Sequence, residues 1–581
     1  MKKKLIAVLL TCAMALSVIA CGSTDEPAAS SGTDSSASAA TDTGRTDAAA
    51  TDSASAATAD DAQASAIPGF ENGKFTETRH ISVEVYDRGN DGGTDPTDNM
   101  YTDYIKKGML DTYNVEVEFV AVPRWTEVDE INNLLAAGTA PDICLTYDYP
   151  TVLAYADMGG VLNMADYVDP YRDLLPHLWD WLGEDNIYYD KDPNTGVIWA
   201  LEGKRANIRR INTFVRKDWL DALGMAAPTT EDEFYEMLIA FRDNADTLLG
   251  ADADKMVPFS MSYDIGWRAA NLIESYLDPN MTDKEFYVNG FDDRKLTENG
   301  TKEAIRTLNK WYNEGLIWKD FALYGSGDTT EEDMVKSGYV GSFIHGWDYP
   351  YQTGAQVDVT MKSIVGDQAE FIAIDCFKNS AGDYAKFSYS TAGDRKIFFP
   401  STNDEPLASM LYLDWISDPE HVEYLQIGDE GQTHKVLDNG AIAVIAAQAP
   451  YIQNSGQNID MTITCNGLNL SSEELTLKSM ANNYAGIDPD VVMTAMQVCL
   501  NDSIIPKAVN VGTIEAEAGL GNALSGKRDI LLDNAVVAPV DQFDAVWDAA
   551  MEDYMSSGGK QIRDEREEKW NATFGDQVML P

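Results

Sequence analysis

Positive charge is scarce in this chain of 581 residues. Lys and Arg number 43 against 95 Asp and Glu, for a formal charge of −52. Nucleic-acid binding draws affinity from neutralised phosphates, so this balance argues strongly against it. It argues equally against lying flat on an anionic bilayer. Cysteine is scarce too, six in all. Cys12 and Cys21 fall in the N-terminal segment. Cys144, Cys376, Cys465 and Cys499 are spaced too widely for a disulfide framework or a Cys-x-x-Cys metal site. Buried free thiols are the expectation, with one unassigned disulfide open. The histidines are His80, His177, His345, His421 and His434, none at i, i+4 spacing, which argues against a zinc protease. The chain lacks a Gly-x-x-x-x-Gly-Lys-Ser/Thr loop and a Gly-x-Ser-x-Gly elbow. After the first 20 residues, no apolar run is long enough to span a membrane. The loop Asp87–Asp98 has acids at calcium-loop positions 1, 5 and 12, but Gly89 sits at 3 and the last residue is Asp98, not Glu. It reads as a polar loop, and no metal or cofactor is expected.

What is present begins at the N-terminus. Lys2-Lys3-Lys4 precede an apolar stretch from Leu5 to Ala20, the layout of a secretion signal. The run Leu16-Ser-Val-Ile-Ala-Cys21-Gly22 resembles the lipobox of bacterial lipoproteins. That resemblance implies cleavage after residue 20 and acylation of Cys21, palmitate included. Several acyl chains give a stable anchor where one binds only marginally. Residues 21–66 are almost entirely Ser, Thr, Ala, Asp and Gly, without an aromatic and with Arg45 as the one basic residue. Such a segment cannot bury enough apolar surface to offset chain entropy, and reads as a disordered tether.

The remaining body is too long for one core, so at least two lobes are expected. Its opening alternates strand and helix: a strand over Ile81–Tyr86, a helix over Tyr101–Tyr113, a strand over Val115–Val122, a helix over Thr126–Gly138, a strand over Pro141–Asp148 and a helix over Thr151–Met158. That alternation predicts a parallel α/β sheet. Ligands of such sheets bind beyond the C-terminal strand ends. Asp87-Arg88, Pro123-Arg124-Trp125 and Tyr147-Asp148-Tyr149 follow those ends.

Here the sequence resembles the extracellular solute-binding proteins of ABC importers. The match runs through Trp125-Thr-Glu-Val-Asp-Glu-Ile-Asn-Asn-Leu-Leu-Ala-Ala-Gly-Thr-Ala-Pro-Asp-Ile143, Gly160-Val-Leu-Asn-Met-Ala-Asp-Tyr167 and Asn194-Thr-Gly-Val-Ile-Trp-Ala-Leu201. It is closest over Phe214-Val-Arg-Lys-Asp-Trp-Leu-Asp-Ala-Leu-Gly-Met-Ala-Ala-Pro-Thr-Thr-Glu-Asp-Glu-Phe234, where Gly224 reads as a helix stop and Thr229 or Thr230 as the next cap. Lys336-Ser-Gly-Tyr-Val-Gly-Ser-Phe-Ile-His-Gly-Trp347 and Asp404–Ile416 continue it. The order and spacing of these segments carry the resemblance, which spans nearly all of residues 75–575 and is closest to long, lipid-anchored members linked to carbohydrate import.

The resemblance implies an α/β, two-lobe periplasmic-binding-protein-like fold of the class II type, with a hinge of crossing segments at Trp199–Arg205 and Gly393–Pro400. The expected domains are a signal peptide at 1–20, a tether at 21–66, a first lobe from 67–200 and 396–480, and a second from 201–395 and 481–581. The C-terminal helices, Gln542–Ser556 and Gly559–Phe574, are left open to either lobe.

The implied function is capture of a carbohydrate, an oligosaccharide, outside the membrane by lobe closure. A monomer would then deliver it to membrane permease subunits served by a separate ATPase. Two other readings stand beside it: a sensor partner of a membrane kinase, and a surface carbohydrate-active enzyme on the same tether. Sugars need flat aromatics for their faces and carboxylates, amides or Arg for their hydroxyls. The candidate ligand residues are Trp125, Tyr147, Asp148, Arg205, Trp267, Trp347, Asp348 and Arg395. Trp347 follows the apolar strand Val340–Ile344, so its replacement by Ala is expected to weaken binding while leaving the fold largely intact. Arg205 and Arg395 flank the crossing segments, where each could meet a ligand carboxylate or close an internal ion pair.

Overall fold

The computed structural model describes residues 67–580, apart from 90–93, 326, 353, 355, 453–460 and 513. The signal segment, Cys21 and the tether lie outside the described residues.

The first lobe forms as local chemistry dictates. Asn99 caps the helix Met100–Tyr113 in a reciprocal box with Thr102, and Asn114 ends it in the left-handed region at φ 60°. The helix Glu127–Ala137 opens on Glu127, Asp129 and Glu130, acids that suit the positive N-terminal end of the helix dipole. It stops at Gly138, whose φ of 68° suits a residue without a side chain. Between these helices, Arg79–Asp87 and Val115–Pro123 pair in parallel along their length, from Arg79 opposite Val115 to Asp87 opposite Pro123. A parallel bridge from Val83 to Ile143 adds the next strand, Cys144–Thr146. This strand is shorter than the expected Pro141–Asp148, because Asp148 already caps the following helix, Tyr149–Asp157.

Two strands then cross between lobes. Lys396–Phe398 runs antiparallel to Cys144–Thr146 on one side and to Leu201–Glu202 on the other. A third crossing, absent from the sequence reading, pairs Cys465–Asn466 in parallel with Lys204–Arg205.

The second lobe has a four-stranded sheet in the order Phe371–Ile374, Ile211–Arg216, Val340–Gly346, Val257–Ser260. Ile211–Arg216 runs antiparallel to both neighbours, and Val257–Ser260 runs parallel to Val340–Gly346. Three strands therefore end at the edge where Ile211 enters from the hinge. In the first lobe the parallel strands likewise end beside Lys396 and Glu202, where the crossings leave. Both C-terminal strand edges border the crossing segments, and the space beyond them is the candidate cleft, since ligands of such sheets bind outside the C-terminal strand ends.

The helix Glu231–Asp243 begins at Thr230, whose hydroxyl accepts from the Glu233 N–H at 3.2 Å. The Glu233 carboxylate reaches back to the N–H and hydroxyl of Thr229 at 2.8 and 2.9 Å. Gly224 ends the preceding helix in the left-handed region, at φ 64°.

Two large hydrophobic cores fill the lobes. One gathers Ile81, Tyr101, Leu145, Leu178, Ile397 and Trp415. The other gathers Phe214, Phe259, Trp311 and Phe343 with Phe543, Trp547, Tyr554 and Ile562. The C-terminal helices Phe543–Tyr554 and Lys560–Phe574 thus contribute to the second-lobe core. Cys144, Cys376, Cys465 and Cys499 are buried, and among the described residues they form no disulfide. Among the described residues no helix is long and apolar enough to cross a membrane.

Candidate functional site

The first-lobe edge of the cleft is built on a buried carboxylate. Glu127 accepts from the Tyr86 hydroxyl, from the Thr146 hydroxyl at 3.3 Å and from the Tyr147 N–H at 2.9 Å. These bonds fix the turn after Cys144–Thr146. The Tyr147 ring stacks on Tyr86, with centroids 6.1 Å apart and planes 13° apart. The Arg124 guanidinium lies 4.0 Å from the centroid of the Tyr147 ring and 5.5 Å from that of Trp125. Trp125 itself is 70% exposed, an unusual state for an indole in a folded lobe.

The Tyr147 hydroxyl links this edge to the hinge. It accepts from Arg395 Nε at 3.2 Å and from Asn466 Nδ2 at 3.4 Å. Arg395 also donates through Nη1 to the carbonyls of Thr462 and Cys465, at 3.1 and 3.0 Å. Its neighbour Asp394 accepts from Arg205 Nη2 at 2.6 Å and from Asn466 Nδ2 at 2.7 Å. The Arg205 guanidinium lies over Tyr389, and Lys204 over Trp181. Three chain crossings are therefore tied by one polar network, which leaves flat aromatic rings beside it.

The second-lobe edge carries Trp267, half-buried between the guanidinium groups of Arg210 and Arg294, 5.4 and 5.6 Å from its ring centroid. Its loop is held by a buried pair. Arg268 donates to Glu331 at 2.6 and 2.8 Å, and Ser260 and Ser262 fill the remaining acceptor sites of that carboxylate. Burial alone would raise the Glu331 pKa, but Arg268 and the serines hold it below the usual range.

Several sequence candidates take structural posts. Trp347 is only 5% exposed and lies in the second-lobe core, edge-on to Tyr484. Its N–H donates to the Arg210 carbonyl and its carbonyl accepts from Asn212, so the strand exit turns the indole inward. The expectation that its loss would spare the fold does not suit that burial. Asp348 accepts from the Tyr484 hydroxyl at 2.7 Å and from Gln352 at 2.9 Å. Asp148 is a helix cap, accepting from the N–H and hydroxyl of Thr151. Arg395, at 1% exposed, works beneath Tyr147. Arg205 closes the internal pair with Asp394. Trp125, Tyr147, Arg205 and Trp267 remain candidates. The structure adds Arg124, Trp181, Lys204, Tyr389 and Asn466 as further candidates, which the sequence reading did not name. One signal could have found part of them: Lys204, Arg205, Arg209 and Arg210 crowd seven positions of an acid-rich chain.

Flat rings, filled hydrogen-bond networks and a hinge suit reversible binding of a polar ligand. A sequence model of the bacterial extracellular solute-binding protein family matches residues 100–431, more than half of the chain. The chain belongs to that family. Among curated relatives, the polygalacturonan/rhamnogalacturonan-binding protein YtcQ of Bacillus subtilis (strain 168) is 23% identical over 469 residues, 78% of this chain and 85% of its own length. The lipoprotein LipO of the same strain is 25% identical over 344 residues, 56% of this chain and 62% of its own. The fold is similar to that of an extracellular solute-binding protein from Bifidobacterium longum subsp. infantis, with a TM-score of 0.58 and 17% identity over 85% of this chain and 98% of that one. The two-lobe α/β architecture of the solute-binding proteins is thus the architecture of this chain.

Proposed function

We propose that this solute-binding protein captures an oligosaccharide outside the membrane and delivers it to an ABC permease. The observation that carries the reading is the 70% exposed Trp125 beside Tyr147 and Arg124, on a strand edge that borders the hinge, with Trp267 on the corresponding edge of the other lobe. Aromatic faces stack on the apolar faces of sugar rings, and the polar rims that flank them meet hydroxyls. A ligand that touches both edges stabilises the closed form, because only that form offers both sets of contacts. The polygalacturonan-binding relative supports a saccharide ligand. The sequence of the first 66 residues supports anchoring through acylated Cys21, with the body held off the surface. The lipoprotein relative agrees with that placement.

A thermal-shift screen of the full-length protein against mono- and oligosaccharides, acidic sugars, peptides and amino acids tests the proposal. A ligand at 100 times its Kd should stabilise by about 2.7 kcal/mol, a rise of a few degrees at this size. An oligosaccharide hit, recovered chemically intact, is the expected result. Hits confined to peptides or amino acids would overturn the ligand class, and conversion of the sugar would overturn the binder.

A further inference from the structure

Most cations around the hinge have a carboxylate of their own. Arg205 pairs with Asp394, Arg210 with Glu274, Lys386 with Asp375 and Lys396 with Glu202. Arg209 does not. It is 7% exposed, and its Nε is buried without a hydrogen-bond partner. Among the described residues its guanidinium makes no ion pair, hydrogen bond or ring contact. Glu473, an acid whose charge reaches it, is exposed at the start of the helix Glu473–Asn482 and does not touch it. Burial accordingly pulls the Arg209 pKa down. A buried cation without a counter-ion is costly, because it gives up hydration for nothing in return. Arg209 precedes Ile211–Arg216, at the hinge end of the second-lobe sheet where the strand ends gather.

The first-lobe edge holds a cation that is only partly satisfied, packed over the rings of Tyr86, Trp125 and Tyr147. Arg124 Nε is also buried without a partner. The guanidinium reaches Glu127 only at 3.7 Å, and that carboxylate already accepts from Tyr86, Thr146 and Tyr147. Each lobe thus brings to the cleft border one guanidinium short of an acceptor. A guanidinium fork matches a carboxylate in shape as well as charge.

We infer that the ligand is an anionic oligosaccharide of uronate type, with one carboxylate received by Arg209 and another by Arg124. The inference rests on the saccharide reading above and narrows it. Repeating carboxylates along such a chain allow both lobes to be engaged at once, which couples charge recognition to closure.

The test is calorimetry on the full-length protein with three kinds of probe matched in length. These are uronate oligomers (galacturonate, mannuronate and guluronate), their methyl esters, and neutral oligosaccharides. Acid should bind at least tenfold more tightly than ester, with the ratio shrinking at high salt. Arg209→Gln and Arg124→Gln should each drive that ratio toward one. Arg209→Gln should also leave the thermal midpoint of the unliganded protein equal or higher, because it removes an unpaired buried charge. A fall in that midpoint would mark Arg209 as a structural cation and overturn its role. Acid and ester binding alike in the unmodified protein would overturn the charge inference while leaving the saccharide reading standing. No binding by any saccharide, neutral ones included, would remove both. Should Arg209→Gln not fold, the ester comparison and Arg124→Gln still decide.

Discussion

Arg395 donates from Nε to the hydroxyl of Tyr147 at 3.2 Å, across 248 positions of sequence. The bond joins the strand returning through the hinge to the turn that carries the first-lobe aromatics. Arg395 is 1% exposed, so it acts as a buried brace beneath the Tyr147 ring.

Tyr147→Phe keeps the ring and removes that acceptor. Arg395 and Asn466 each then lose a partner in a partly buried setting. A drop of about 1–3 kcal/mol in unfolding free energy is expected, measured in urea. Ligand affinity should fall as well, since the ring is no longer held in place. An unchanged urea midpoint would show that water replaces the hydroxyl without penalty.

Trp125→Ala should separate binding from stability. The indole is 70% exposed, so its loss should move the unfolding free energy by no more than about 0.5 kcal/mol. Calorimetry with the saccharide hit should show about a tenfold loss, the scale of one lost aromatic contact. Equal affinity would take Trp125 out of the site.

Trp347→Ala should do the reverse. This indole is 5% exposed within the second-lobe core, and truncation leaves a cavity. The expected cost is about 3–5 kcal/mol of stability, read from the urea midpoint. A variant with wild-type stability and weakened binding would restore Trp347 to the ligand surface.

Glu298 sets a pH dependence. It is buried, with Oε1 unpartnered, and burial pushes its pKa up to about 8, with Lys295 offsetting part of the rise and Glu285 adding to it. The folded state therefore holds the proton more tightly than the unfolded chain, where the value is near 4.5. The contribution of this group to stability is fully present below that lower value. It is lost as pH rises through about 8. Glu298→Gln should be more stable than the parent at pH 8.5 by about 1 kcal/mol or more, with the gap closing by pH 4. Parallel stability curves over that range would show that the carboxyl is hydrated.

Elements governed by near neighbours were legible from the chain alone. The stop at Gly138 needs only a left-handed residue after the last turn. The start at Thr230 needs only a hydroxyl and, three positions on, Glu233. The parallel pairing of Arg79–Asp87 with Val115–Pro123 follows from strand-helix alternation, and the hinge position of Arg205 and Arg395 follows from the crossing segments. Periodicity and capping act over a few residues, so these features are written locally.

The direction in which each candidate side chain points was decided elsewhere. Trp347 stands after a strand, as read, but Tyr484 and the second-lobe core draw its indole inward. Asp148 and Asp348 both follow strands, yet Thr151 engages the first and Tyr484 the second. The third crossing at Cys465–Asn466 gave no periodic signal, being two residues long. The sequence thus determined the family, the order of elements and the charge of the chain. The tertiary structure decided which candidate rings and cations stay exposed and which are buried or paired, because burial and ion pairing are settled by contacts between segments hundreds of residues apart.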